Sequence, residues 1–246
     1  MSAETALAPR LGRRAAAEGA GTALLLAAIV GSGIMGETLA GGNPALALLA
    51  NAVATGAALV ALILAFGAVS GAHFNPAVTL ADAALGGIRW PDVPAYVVAQ
   101  VGGAFLGVAA AHGMFERELF ALSTHARAGA PQLFSELVAT FGLLAVIRGC
   151  ARSHPAAVPF AVGAYITAAY WFTASTSFAN PAVTLARSVT DTFSGIRPAD
   201  APGFLVAQLA GAAVSTAFFR WLLPGRTTAG EQMAVPAADR VPKRIA

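Results

Sequence analysis

Seven residues, NPAVTLA, are written twice in this chain, at Asn75–Ala81 and at Asn180–Ala186, each time inside a long apolar neighbourhood. Internal duplication constrains a fold more than any local propensity, because each copy must find an equivalent place. Other correspondences accompany the heptapeptide. AEGAGTALLLAAI from Ala17 matches SELVATFGLLAVI from Ser135, which aligns Glu18 with Glu136. AQVGGAFLGVAAA from Ala99 matches AQLAGAAVSTAFF from Ala207, which aligns Gln100 with Gln208.

The apolar neighbourhoods define the solvent. Of 246 residues, 57% are hydrophobic and 11% charged, and the mean hydropathy is positive, a composition outside that of ordinary soluble domains. Six segments approach the roughly 20 apolar residues needed to cross a bilayer. They are Ala15 to Met35, Ala45 to Val69, Pro94 to Met114, Leu133 to Ile147, Ala156 to Thr173 and Gly203 to Leu223. The first follows Arg10, Arg13 and Arg14 but is too long for a signal-peptide core and carries Glu18, so it reads as a retained span. The chain divides into a cytoplasmic N-terminal segment (1–14), a single membrane domain (15–223) and a cytoplasmic tail (224–246) whose Pro, Ala and charge predict disorder. Within the domain, half 1 covers about 15–115, the linker 116–130, and half 2 about 131–223.

Each half reads span, span, NPA segment, span. Three spans is an odd number, so the second half enters the membrane from the opposite side, as an inverted repeat. With an internal N-terminus, the inner side collects Arg10, Arg13, Arg14, Arg89, Arg148, Arg152, Arg220, Arg226, Arg240, Lys243 and Arg244, and the outer side only Arg117, Arg127, Arg187 and Arg197. Positive residues stay inside, so both termini are expected in the cytoplasm. The high isoelectric point therefore calls for no nucleic-acid partner. Cys150 is the single cysteine, which excludes an intrachain disulfide, and its place near a span end predicts a buried, inert thiol.

Each NPA segment is too short to cross alone. Proline lacks an N–H to lose and presets φ, so it suits a first helical turn with Asn as cap. The tripeptides Asn75, Pro76, Ala77 and Asn180, Pro181, Ala182 thus start re-entrant half-helices, tolerated at membrane depth only when buried in protein or lining a cavity. Inversion brings their positive ends and the two Asn amides tip to tip. The fold expected is an all-α membrane protein of six transmembrane helices plus two re-entrant half-helices.

SGAHFNPAVTL from Ser70, the second NPA, the paired AE and SE starts of the first and fourth spans, and the AQ of the third and sixth together resemble the aquaporin and aquaglyceroporin family of major intrinsic proteins, from about Ala17 to Leu223. The resemblance implies an aquaporin-like fold, a homotetramer in membrane lipid with one passive pore per protomer, and no enzymatic activity or cofactor. It also implies that Glu18 and Glu136 accept backbone N–H groups of the re-entrant loops. A proton-coupling carboxylate of a secondary transporter is the functional alternative, and symmetric duplication favours scaffolding. His73 reads as loop-supporting, with pH gating as its alternative role.

Family members generally carry Arg directly after the second NPA, where this chain has Val183. Spacing from the two Asn residues carries the other filter positions onto Thr55, Ala168 and Ser177. Thr55, Ala168, Ser177 and Val183 contain no ring, charge or bulk, which predicts a wide opening for uncharged solutes larger than water, with water also passing. Arg187 lies four residues beyond Val183, about 6 Å further out and turned by about 40°. Two placements are open for it: the outer vestibule, or lipid headgroups with Asp191 as i+4 partner. Val after the second NPA and the run NPAVTLARS resemble arsenic-resistance-associated bacterial aquaglyceroporins, which implies passage of trivalent arsenic acid (arsenite) and methylated arsenicals beside glycerol and urea.

Other classes are weaker. His73, His112, His125 and His154 fall on separate loops and ends without metal-ligand spacing, and no G-x-S-x-G or phosphate-binding glycine loop is present. A proton- or sodium-coupled secondary transporter shares inverted repeats, but the spans offer only Glu18 and Glu136 as carboxylates.

Overall fold

The computed structural model describes residues 9–223. The predicted tail, like the first eight residues, lies outside them. Eight α-helices follow one another: α1 (Leu11–Leu39), α2 (Pro44–Ser70), α3 (Pro76–Ala84), α4 (Val93–Met114), α5 (Ala130–Ser153), α6 (Val158–Phe172), α7 (Pro181–Arg187) and α8 (Ala201–Leu222), and no strand occurs among the described residues. Single 3₁₀ turns, Trp90–Asp92 and Pro155–Ala157, lead into α4 and α6.

Six of these are the expected spans and two, α3 and α7, the expected half-helices. Five helices are long and apolar enough to cross a membrane by themselves. The sixth, α6, has 15 residues and gains length from the 3₁₀ turn before it. The fourth span is longer than its apolar stretch. Hydropathy stops at Arg148, but α5 continues to Ser153, because the Arg148 guanidinium is buried and donates to the Ala81 carbonyl at the end of α3. Cys150 is half-buried at this end of α5, against the core, rather than fully enclosed.

Duplication in the sequence becomes duplication in packing. Helix α1 packs on α4, and α5 on α8, with α2 against α6 between the halves. The first two contacts bring backbones together at corresponding glycines. A Cβ at Gly103 would lie 2.2 Å from the Gly19 carbonyl oxygen, and one at Gly211 would lie 2.5 Å from that of Leu137. Small residues let membrane helices approach this closely, and packing then replaces the hydrophobic driving force that lipid does not supply.

The helix starts follow from local chemistry. Asn43, Asn75 and Asn180 each cap a helix whose next residue is proline, their Oδ1 atoms accepting from backbone N–H groups two or three residues on. Helices α3 and α7 lie within the bundle, and their capped ends meet at its centre.

A candidate pore at the junction of the two half-helices

Each loop that delivers a half-helix is held by one buried carboxylate. Glu18 on α1 accepts from the Ser70 hydroxyl (2.6 Å), the backbone N–H of His73 (2.9 Å) and Phe74 (2.6 Å), and the Gln100 amide (2.8 Å). Glu136 on α5 accepts from the backbone N–H of Phe178 (2.9 Å) and Ala179 (2.8 Å), and the Gln208 amide (2.6 Å). Both are fully buried, which is tolerable because every carboxylate oxygen receives donors. The same amides continue to the half-helices, Gln100 to the Thr79 hydroxyl (2.9 Å) and Gln208 to that of Thr184 (2.8 Å). Gln100 and Gln208 thus join the loop-supporting set. Their alignment between the halves was the available signal; the threonines sit inside the repeated heptapeptide.

The carboxylates hold a backbone that would otherwise relax. Ala72 and Phe74 adopt positive φ (47° and 50°), as do their equivalents Ser177 and Ala179 (50° and 48°), together with Thr176 (59°). Left-handed backbone costs a non-glycine residue about 1–2 kcal/mol, so its recurrence at matched positions requires the surrounding structure to impose it.

At the centre the two tips bond reciprocally. Asn75 Nδ2 donates to the Ala179 carbonyl (2.8 Å), and Asn180 Nδ2 to the Phe74 carbonyl (2.8 Å). Their Oδ1 atoms are occupied by their own helices, Asn75 by the Ala77 N–H and Asn180 by those of Ala182 and Val183. An amide nitrogen carries two hydrogens, and each Asn gives one to the opposite loop. Both asparagines also line a cavity of about 60 Å³ built from both halves, with room for about four to six waters. Much of the lining is aliphatic, including Ile29, Leu59, Val78 and Ile166, and the polar groups are few: Thr55, His73, Tyr170, Ser177, Arg187 and the two asparagines.

Of the four filter positions read from spacing, Thr55, Ser177 and Val183 line this cavity. Ala168 does not; it is exposed on the outer face of α6. The α6 residues on the cavity are Val158, Val162, Ile166 and Tyr170, at four-residue intervals. A displacement of two residues rotates a helical position by about 200°, and counting back from Asn180 crosses the irregular segment 173–180, whose length does not fix that register. Tyr170 therefore takes the place assigned to Ala168, its hydroxyl 3.2 Å from Thr55 Oγ1. Ser177 Oγ is buried without a protein partner.

The expectation of a wall without ring or charge is corrected as well, since Tyr170, Phe178 and Arg187 all line the cavity. Arg187 is 2% exposed, with its guanidinium carbon 3.4 Å from the centroid of the Phe178 ring and its Nε donating to the Ser194 carbonyl. This rules out the headgroup placement. Asp191 turns instead to Thr124, accepting from its N–H (2.9 Å) and hydroxyl (3.0 Å). His73 also lines the cavity, its Nδ1 3.1 Å from the Thr79 hydroxyl and its Nε2 3.7 Å from Asp82.

Two half-helices meeting tip to tip inside a six-span bundle, with a narrow polar-and-aliphatic cavity at their junction, define a membrane channel. A model of the major intrinsic protein family matches residues 6–157 and 148–242. An aquaglyceroporin from Rhizobium meliloti, AqpS, is 58% identical over 213 residues, covering 87% of this chain and 91% of that protein. The rice aquaporin NIP3-1 (Oryza sativa subsp. japonica) is 34% identical over 163 residues, 64% of this chain and 51% of the rice protein. Among solved structures, the X-ray structure of the Plasmodium falciparum aquaglyceroporin matches in fold with a TM-score of 0.68 at 22% identity, covering 87% of this chain and 97% of that one. The chain belongs to the major intrinsic protein family. It is a multi-pass membrane channel for water and small solutes, not an enzyme.

Proposed function

We propose that the solutes are small and uncharged, namely water with glycerol, urea, arsenite or methylated arsenicals, and that the filter consists of Thr55, Tyr170, Ser177 and Val183 outward of the Asn75–Asn180 junction. The observation that carries this reading is the combination of a few hydroxyls (Thr55, Tyr170, Ser177) with a largely aliphatic lining in one small cavity. Polyol-like molecules present hydroxyls on one side and carbon on another, so such a passage replaces their hydration while accepting their apolar face. An ion would lose far more hydration than these groups return. The 58% identical relative bears the name aquaglyceroporin, which supports solutes beyond water. The arsenical reading rests on Val183 and the NPAVTLARS run.

In the same reading the protein lies in the plasma (inner) membrane with both termini cytoplasmic, and assembles as a homotetramer with a pore in each protomer. Glu18 and Glu136 serve as scaffold, and His73 supports the first loop. The test is a solute panel on reconstituted protein: osmotic light scattering with glycerol and urea, and uptake of arsenite and methylarsenite. Glycerol or urea permeability above that of empty vesicles is expected. Water flux without any solute flux would restrict the channel to water.

A further inference from the structure

Position seven after each NPA asparagine carries opposite charge in the two halves, Asp82 on α3 and Arg187 on α7. Both side chains fold back along their half-helices towards the residue two before the asparagine. Asp82 reaches His73 at 3.7 Å, and Arg187 covers Phe178 at 3.4 Å. Helical Cα–Cβ bonds tilt towards the N-terminus, so a long side chain can return over a full turn, about 5.4 Å. The outcomes differ. Asp82 is turned away from the cavity and lies 3.7 Å from Arg148, whereas Arg187 lines the cavity.

We propose that Arg187 is the specificity-determining charge of this pore, acting at the level of Val183 from one turn further along α7, and that Val183 is small because the Arg187 side chain passes over it. The proposal rests on the conduction reading above. Arg187 Nε is committed to Ser194. The remaining four guanidinium N–H groups have the Tyr170 hydroxyl beside them, and that hydroxyl meets Thr55 across the cavity. No carboxylate forms an ion pair with Arg187 among the described residues, and a second guanidinium, Arg127, stands 5.0 Å from the same Phe178 ring. Glu136 attracts the charge from beyond ion-pair distance and Arg127 repels it, so Arg187 brings its charge to the cavity without a direct carboxylate partner. A neutral solute can accept hydrogen bonds from the free N–H groups, while a cation meets a like charge in a poorly screened setting.

A purely structural arginine would do only what Nε and the Phe178 stack do, fastening the 188–195 loop. Two substitutions separate the roles, because Arg187→Gln and Arg187→Lys both lose that fastening but only the lysine keeps a charge. In proteoliposomes of the full chain, with water, glycerol, protons and potassium as probes, R187Q is expected to raise proton or potassium leak at least tenfold over wild type. R187K is expected to stay within about threefold of wild type in leak while changing the glycerol-to-water permeability ratio. Equal leaks in R187Q and R187K, or a sealed R187Q, would overturn the proposal. If R187Q does not reconstitute, Val183→Arg decides: a second guanidinium in space already crossed by Arg187 should cut glycerol flux at least tenfold, and unchanged flux overturns the geometry. A wild type passing neither water nor glycerol overturns the conduction reading, and this proposal with it.

Discussion

Gly21 lies directly beneath the ring of Phe74: a Cβ at Gly21 would sit 2.0 Å from Phe74 Cε1. Phe74 is buried, holds φ at 50° and gives its carbonyl to Asn180 across the junction of the half-helices. The corresponding pair in the second half is Ala139 and Ala179, both fully buried. A glycine beneath a phenylalanine in the first half thus corresponds by position to two buried alanines in the second, so the repeat keeps the positions buried without keeping their letters.

Gly21→Ala therefore pushes on the loop that carries Asn75. Alanine gains about 1 kcal/mol over glycine in a helix interior, but overpacking a tight core costs about 1–3 kcal/mol, and here the obstructing ring cannot swing free. A lower melting temperature and reduced water permeability are expected in detergent and vesicle measurements, with recovery in the Gly21→Ala, Phe74→Ala double variant. Undiminished permeability of the single variant would show that the ring does not set the loop's position.

Glu136→Ala strips acceptors from two backbone N–H groups and the Gln208 amide at once. Each orphaned buried donor costs about 1–3 kcal/mol, a large share of the stability of a typical domain. Glu136→Gln keeps one acceptor oxygen and should melt between the wild type and the alanine variant. Equal melting of all three would remove the carboxylate from its scaffolding role.

Asn180→Asp replaces the donor to the Phe74 carbonyl with a carboxylate that cannot donate. The junction loses one of its two reciprocal bonds and gains a negative charge beside the cavity. Measured as ionic current across a planar bilayer, cation leak should rise several-fold while the protein still assembles. A variant as tight to cations as the wild type would show that the asparagine amides do not contribute to ion rejection.

On the linker side, Asp200 accepts from the Arg197 guanidinium (2.9 Å) and the Arg127 backbone N–H (2.9 Å). The Arg197 hydrogen bond is the main cause holding its carboxyl below the usual 3.8; burial opposes this, and the Arg127 N–H adds to the lowering. A depressed folded-state value contributes stability that is fully present above the ordinary value and is lost as pH falls through the folded one. Wild-type melting temperature should therefore fall on acidification below about pH 4, and Asp200→Asn should lower the neutral-pH value while flattening that slope. Parallel acid profiles in the two proteins would contradict the assignment.

Repetition made the architecture readable. The doubled NPAVTLA, the aligned glutamates and the odd number of spans per half gave six spans, two half-helices and their inversion, because each depends on counting and polarity alone. Boundaries failed where a charge was buried: Arg148 looked like a span end and is enclosed against Ala81. The site was less legible. Thr55, Ser177 and Val183 reached the cavity wall by spacing, but Ala168 did not, since an irregular segment separates α6 from Asn180 and breaks the helical register. The i+4 relation of Arg187 to Val183 left two placements open, and burial of the side chain against Phe178 excludes the headgroup one. Its return towards Phe178 depends on a side-chain direction and a carbonyl, that of Ser194, which no linear pattern encodes.

The central claim is passive conduction through the junction of Asn75 and Asn180, and the most direct test is the concentration dependence of glycerol flux in proteoliposomes, with and without imposed proton or sodium gradients. Flux proportional to the glycerol gradient up to high concentration, and indifferent to collapse of the ion gradients, is the predicted result. Flux that saturates at low glycerol concentration and vanishes when the proton or sodium gradient is removed would contradict it.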